Sequence, residues 1–185
     1  MNFKKIRQDF PILNQKFEML FNIKLIPATG SLTGCSYLSV EEIKAEFERR
    51  GIEDAKPGAR AQVTYELSRS DTTVLLKGRV KGALIVECAR CLEPFVFHFD
   101  TELYQLYIPE TKYRQRFGGG EEELELTRED LVLSYYSDDE IDISPLVYEE
   151  IILSIPMKPI CRGDCKGLCP RCGTNLNTGT CLCQK

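Results

Sequence analysis

Nine cysteines stand in this sequence of 185 residues, and eight of them fall into two groups with the spacing of metal ligands. Cys88-Ala89-Arg90-Cys91 separates two thiols by two residues, close enough for both sulfurs to face one centre, as in a zinc knuckle. Cys161, Cys165, Cys169, Cys172, Cys181 and Cys183 crowd the C-terminal stretch. Within it, Cys169-Pro170-Arg171-Cys172-Gly173 is the more specific knuckle. Proline there fixes the turn, glycine is expected to relieve crowding behind the second sulfur, and backbone amides point at the thiolates. Cys169, Cys172, Cys181 and Cys183 would close one tetrahedral site, which leaves Cys161 and Cys165 for Cys88 and Cys91. The eight thiols then divide without remainder, although spacing alone does not fix ligand pairing and one site with spare thiols fits the same pattern. Cys35 stands apart and reads as a small buried or partly buried apolar residue.

Other chemistry competes for the same thiols. A dithiol redox pair at Cys88 and Cys91 would be expected at the start of a helix, where the dipole lowers a thiol pKa. Instead Leu92-Glu93-Pro94 follows, and then strand-like alternation, which favours metal. Disulfides suit an exported chain, but Met1 to Asp9 lacks the apolar segment of a signal peptide, so a reducing cytoplasm is expected. The single histidine, His98, lies in the alternating run Phe95 to Asp100 and reads as a side chain on a sheet's polar face. Glu121-Glu122-Glu123 and Asp138-Asp139-Glu140 have no histidine beside them and read as solvated loops. No phosphate-binding glycine loop, serine elbow or dinucleotide fingerprint is present, so no catalytic residue and no small-molecule substrate is expected. Structural rather than catalytic zinc is the reading, because four thiolates leave no open position.

These ligands need a body to hold them. Hydrophobic residues make up 43% of the chain, enough for a core, and no apolar run approaches the roughly 18 residues of a membrane span. A net charge of −4 excludes coating nucleic acid by bulk charge. Lys158, Arg162, Lys166, Arg171 and Lys185 make the tail locally basic against Asp164. Two thiolate-bound zinc ions at about −2 each would cancel that excess, so the tail alone is not expected to bind phosphate strongly.

The first ~38 residues show no clean period. Leu20-Phe21 and Ile23 to Ile26 suggest a short strand, and Ala28 to Gly34 a turn-rich stretch. Ser39 with Glu42 is a capping box, and Ile43, Phe47, Arg49, Arg50 and Gly51 complete a helix. From Ala61 the period is two: Ala61 to Leu67, Thr73 to Leu76, Ala83 to Val86 and Phe95 to Tyr107 read as a meander, with Gly78 and Gly82 continuing or bending its second strand. Pro109 to Glu123, with Gly118-Gly119-Gly120, reads as a mobile loop, while Leu124 to Leu126 and Leu131 to Leu133 suggest short strands. Ser144-Pro145 reads as an N-cap followed by proline, opening an apolar-striped helix that ends at Pro156. Tyr104, Tyr107, Tyr113 and Phe117 suit packing better than stacking on bases. The expected fold is α+β: an antiparallel β-meander or partial barrel covered by one or two helices over residues 1–156. A cysteine-rich zinc-knuckle tail, 157–185, packs on it and is too poor in apolar residues to order itself.

Four motifs in order carry a resemblance: Cys88 to Pro94, Asp142 to Leu153, Ile155 to Cys161, and Gly167-Leu168-Cys169-Pro170-Arg171-Cys172-Gly173-Thr174-Asn175-Leu176-Asn177. Together they resemble the YceD family, large-ribosomal-RNA-subunit accumulation proteins of bacteria and plastids, over about residues 60 to 183. The resemblance implies a cytosolic, non-enzymatic factor that supports accumulation of 23S ribosomal RNA and large-subunit biogenesis. Its implied partners are ribosomal RNA or large-subunit assembly proteins, met by a surface of sheet and tail.

Overall fold

The computed structural model describes residues 19–117, 127 and 130–183. Alternation builds the body. In strands β4 (Ala61–Ser70) and β5 (Thr73–Glu87), Ala61, Val63, Leu67, Val74, Leu76, Val80, Leu84 and Val86 are buried on one face, with charged and polar residues dominating the other, where β5 also carries Leu75, Ala83 and Ile85. Strand β6 (Pro94–Pro109) pairs antiparallel with β5 from Val74 opposite Tyr107 to Glu87 opposite Pro94. Gly78 and Gly82 do not interrupt β5, which runs for 15 residues. A Cβ on Gly78 would strike the Thr64 carbonyl on β4, and one on Gly82 would lie 2.6 Å from Phe99 Cζ. The two glycines make room for neighbours across the sheet.

The main sheet runs β2 (Ser31–Leu38), β4, β5, β6, β7 (Leu133–Tyr136), with β3 (Ala55–Pro57) paired to the far end of β5. It is open, with β2 and β7 as edges, and β7 joins β6 in parallel. A parallel neighbour needs a crossover, and helix α2 (Glu110–Phe117) lies in that connection. The expected loop there is therefore helical in part. Arg114 meets Glu110 at 2.6 Å, Arg116 meets Asp130 at 2.6 Å, and Tyr113 packs on Phe117 and Tyr135. Leu131 and Val132 belong to a short 3-10 turn, and only Leu133 enters the strand. Gly118 to Leu126, including the acidic run Glu121 to Glu123, lie outside the described residues.

Strand β2 takes in Ser31 to Gly34, which had read as turns; the bare α-carbon of Gly34 accepts the Tyr65 ring. Strands β1 (Leu20–Asn22) and β8 (Glu140–Asp142) form a separate pair. Asp138 and Asp139, with φ of +56° and +60°, make the tight turn before β8, so their acidity belongs to a turn. Helix α1 (Val40–Arg50) forms as its ends dictate. Ser39 Oγ accepts from Glu42 N, Glu42 accepts from Ser39 N at 2.8 Å, and Gly51 closes it at φ +69°. Burial alone would raise the Glu46 carboxyl, but Arg49 and Arg50 grip it and hold it below its usual range.

Helix α3 (Ser144–Leu153) buries Val147, Tyr148 and Ile151 in the same core as the sheet. Its start differs from expectation: Ser144 lies inside the helix and Ile143 holds the cap position without a side-chain bond. Ser144 Oγ instead accepts the Met19 N–H at 2.9 Å, so the hydroxyl anchors the residue just before β1. No helix among the described residues is long and apolar enough to cross a membrane.

Candidate metal centres

The turn joining β5 to β6 and the tail use the same five-residue device. Leu92 N donates to Cys88 O and Gly173 N to Cys169 O, both at 2.9 Å. Cys88 N donates to Glu93 O at 3.0 Å, as Cys169 N does to Thr174 O at 2.8 Å. The residue after the second cysteine is left-handed in both, Leu92 at φ +60° and Gly173 at +72°. Nothing lies within 4 Å of a Cβ built on Gly173, so glycine supplies backbone handedness there rather than relief of crowding. Each turn aims two sulfurs the same way.

Cys88 and Cys91 meet the tail as it leaves α3. Ala89 N donates to Pro159 O at 2.8 Å, Leu168 N to Arg90 O at 3.1 Å, and Arg90 Nη1 to Cys165 O at 3.0 Å. These bonds bring Cys165 Sγ to 3.9 Å from Cys88 Sγ and Cys161 Sγ to 3.8 Å from Cys91 Sγ. Sulfurs bound at 2.3 Å around a tetrahedral ion stand ~3.8 Å apart, so the spacing fits zinc and exceeds a disulfide's ~2.05 Å. Cys88 is fully buried, and Cys91 and Cys165 nearly so. Cys169, Cys172, Cys181 and Cys183 form a second group, in which Cys181 Sγ lies 3.2 Å from Cys169 Sγ and 3.5 Å from Cys172 Sγ. In each group all four sulfurs lie within 4.8 Å of one another. The second is more open, with Cys172 exposed. This is the division that the spacing suggested.

Four thiols this close cannot all ionise unless a cation sits among them. In the first group the Cys161 N–H, 3.4 Å from Cys88 Sγ, leads in drawing Cys88 down to about 6, while burial and then neighbouring sulfurs push Cys161 up to about 12. A Glu93 N–H pulls against the rise at Cys91, yet burial and Cys88 hold it above its ordinary value. The Asn177 side chain leads in lowering Cys165. In the second group the Thr174 hydroxyl draws Cys172 down to about 6, and the Cys181 sulfur pushes Cys183 up to about 12. A bound dication would take the place of the held protons.

The redox geometry is not present at Cys88 and Cys91, because a turn and then β6 follow them and each faces another thiol. Cys35 is exposed on edge strand β2, correcting the expectation of burial, and its sulfur accepts from Gln62 Nε2 at 3.3 Å. Its position alternates with inward Gly34 and Ser36, which points it outward. His98 is exposed on β6, on the uncovered face of the sheet, as expected. Tyr107 is buried, Tyr113 and Phe117 pack on each other, and Tyr104 is exposed. Asn177, Thr174 and Arg90 were not singled out from sequence. The run Thr174-Asn175-Leu176-Asn177 entered only as part of a motif that carries the resemblance, and only the fold reveals the sulfurs beside it.

The family described as large ribosomal RNA subunit accumulation protein YceD matches residues 76–185, more than half of the chain. The chain belongs to the YceD family. Both cysteine groups and α3 lie inside the matched stretch. It is 28% identical over 148 residues to a large ribosomal RNA subunit accumulation protein YCED homolog 1 of Zea mays, described as chloroplastic, covering 70% of this chain and 50% of that protein. The Arabidopsis thaliana protein of the same description is 28% identical over 152 residues, covering 74% and 47%. An uncharacterized protein of Mycobacterium tuberculosis is 31% identical over 119 residues, covering 64% and 53%. The YceD chain thus spans about half the length of these curated relatives. No solved structure matches it.

Proposed function

We propose that this chain supports accumulation of 23S ribosomal RNA, and so large-subunit biogenesis, as a non-enzymatic cytoplasmic factor held in shape by zinc. Membership of the YceD family supports the role, and the sulfur geometry supports the zinc. The observation that carries the reading is the meeting of Cys161 and Cys165 with Cys91 and Cys88, at 3.8 and 3.9 Å, across 70 and 77 positions of chain. One zinc held by Cys88, Cys91, Cys161 and Cys165 ties the β5–β6 hairpin to the segment after α3. A second, held by Cys169, Cys172, Cys181 and Cys183, orders the terminal turns. Bound zinc supplies folding energy, which residues 157–185 lack on their own.

The partner surface in this reading combines the tail with the uncovered sheet face. There Tyr104 and His98 lie exposed, and Arg60 stacks over Tyr37 at 4.5 Å. Arg79 and Lys81 share Asp100 on the same face, at 2.9 and 3.1 Å, so its charge is mixed rather than strongly basic. Shape and stacking then matter more than bulk attraction to phosphate.

Deleting the gene tests the role: 23S ribosomal RNA should fall relative to 16S. The intact chain should restore it, whereas Cys88→Ser with Cys91→Ser should not. Crosslinking in cells should enrich fragments of large-subunit RNA on the intact chain. An unchanged RNA ratio after deletion would overturn the role; a normal ratio restored by the double variant would overturn the need for zinc. Crosslinking without enriched RNA would make the chain a protein-only adaptor.

A further inference from the structure

The two cysteine groups are not independent in the fold, and one side chain joins them. Asn177 lies between Cys172 and Cys181, two sulfurs of the terminal group, yet its amide reaches the other group. Asn177 Nδ2 donates to Cys165 Sγ at 3.4 Å and to Asn175 Oδ1 at 2.9 Å. Its Oδ1 accepts from Lys166 N at 2.9 Å and from Arg162 Nη2 at 3.0 Å, both within the segment that carries Cys161 and Cys165. The loop is tied further by Leu176 N donating to Gly167 O at 2.9 Å and by Gly179 N donating to Asn175 O at 2.9 Å.

We infer that Asn177 is an outer-sphere positioning residue that couples the two sites, so that filling either one strengthens metal binding at the other. The inference rests on the reading of both groups as metal sites. An N–H aimed at a ligating thiolate stabilises its charge, and outer-sphere partners of this kind are worth about 10- to 100-fold in affinity. Metal at the terminal group pins both ends of the loop that presents Asn177. The entropy of ordering that loop is then already spent when Cys165 binds its own ion. Linkage makes the effect reciprocal.

Site-resolved zinc protection of the full chain tests this. Free zinc is set by a chelator buffer, unprotected thiols are alkylated, and peptide mass spectrometry reads Cys88 with Cys91 separately from Cys169 with Cys172. Cys169→Ser with Cys172→Ser should raise the zinc needed to half-protect Cys88 and Cys91 by about 10- to 100-fold. Asn177→Asp should do the same with the terminal site intact, since it keeps the acceptor for Lys166 N and Arg162 but loses the donor to Cys165. Added to the cysteine double variant, Asn177→Asp should cause little further loss. Cys88→Ser with Cys91→Ser should shift Cys169 and Cys172 by a similar factor. Protection curves for Cys88 and Cys91 that neither change moves would overturn the coupling while leaving two separate metal sites. Absence of zinc-dependent protection in the unaltered chain would overturn the metal reading and the coupling with it.

Discussion

Leu92 holds a backbone conformation that its twin in the other knuckle assigns to glycine. The left-handed region strains a branched side chain by about 1–2 kcal/mol. Leu92 is 60% exposed, so little packing compensates. Glycine would remove that strain and return about 0.4–1 kcal/mol of it through a freer unfolded chain. Leu92→Gly is therefore expected to raise the stability of the zinc-loaded protein by about 0.5–1 kcal/mol in denaturant unfolding. A loss of stability would mean that the Leu92 side chain packs usefully. At this scale the sequence told what was local and concealed what was distant. Ser39 and Glu42 lie three residues apart, and their reciprocal bonds formed as read. Ser144 carries the same N-cap signal, yet its hydroxyl serves Met19, a partner 125 positions away. Asn177 is concealed for the same reason.

Among the elements, the β5–β6 hairpin carries Cys88 and Cys91, and the segment that leaves α3 brings Cys161 and Cys165 to them. Ile151 is fully buried where α3 packs on the core. Ile151→Ala should lower the stability of the body by about 2–4 kcal/mol. Zinc per folded chain should stay unchanged, since Ile151 lies in a core cluster separate from that of Cys88, Cys91 and Cys165; thermal unfolding with metal analysis checks both, and lost zinc in still-folded protein would contradict the separation. The meander and both main helices were legible because their periods of 2 and 3.6 are written in neighbouring residues. The parallel seat of β7 was not, because it depends on what the intervening crossover does. Helix α2 was masked by its charge, which reads as loop until Arg114 meets Glu110 and Arg116 meets Asp130.

For the whole molecule, the zinc reading makes the tie between body and tail depend on thiolates as well as on the backbone bonds at Ala89 and Arg90. Zinc must displace whatever protons the thiols hold, and a thiol raised above its ordinary value keeps its proton at neutral pH. Cys91, Cys161, Cys181 and Cys183 are all raised, so loading both sites near pH 7 should release at least four protons per chain. Affinity should consequently fall as pH falls. It should fall more steeply still below about 6, where Cys88 and Cys172 also take up protons in the metal-free protein. A pH indicator in weakly buffered solution reads the release; fewer than two protons per ion would contradict the assigned thiol states. Stripping zinc should free the tail while the sheet stays folded, as amide exchange would report. The division of eight cysteines into two fours was legible by counting. Elimination also gave Cys161 and Cys165 to Cys88 and Cys91, but spacing alone left one site with spare thiols open, and only the fold brings those distant segments together.

The bonds from Pro159 and Leu168 to Ala89 and Arg90 have a consequence for synthesis. A growing polypeptide finishes its longest hairpin with Cys88 and Cys91 at the tip, and their two companions have yet to be translated. Throughout that interval the pair lacks the two sulfurs that stand beside it in the finished fold. The half-built site thus exists while the chain is still attached to a ribosome, the kind of particle whose large-subunit RNA its family is named for.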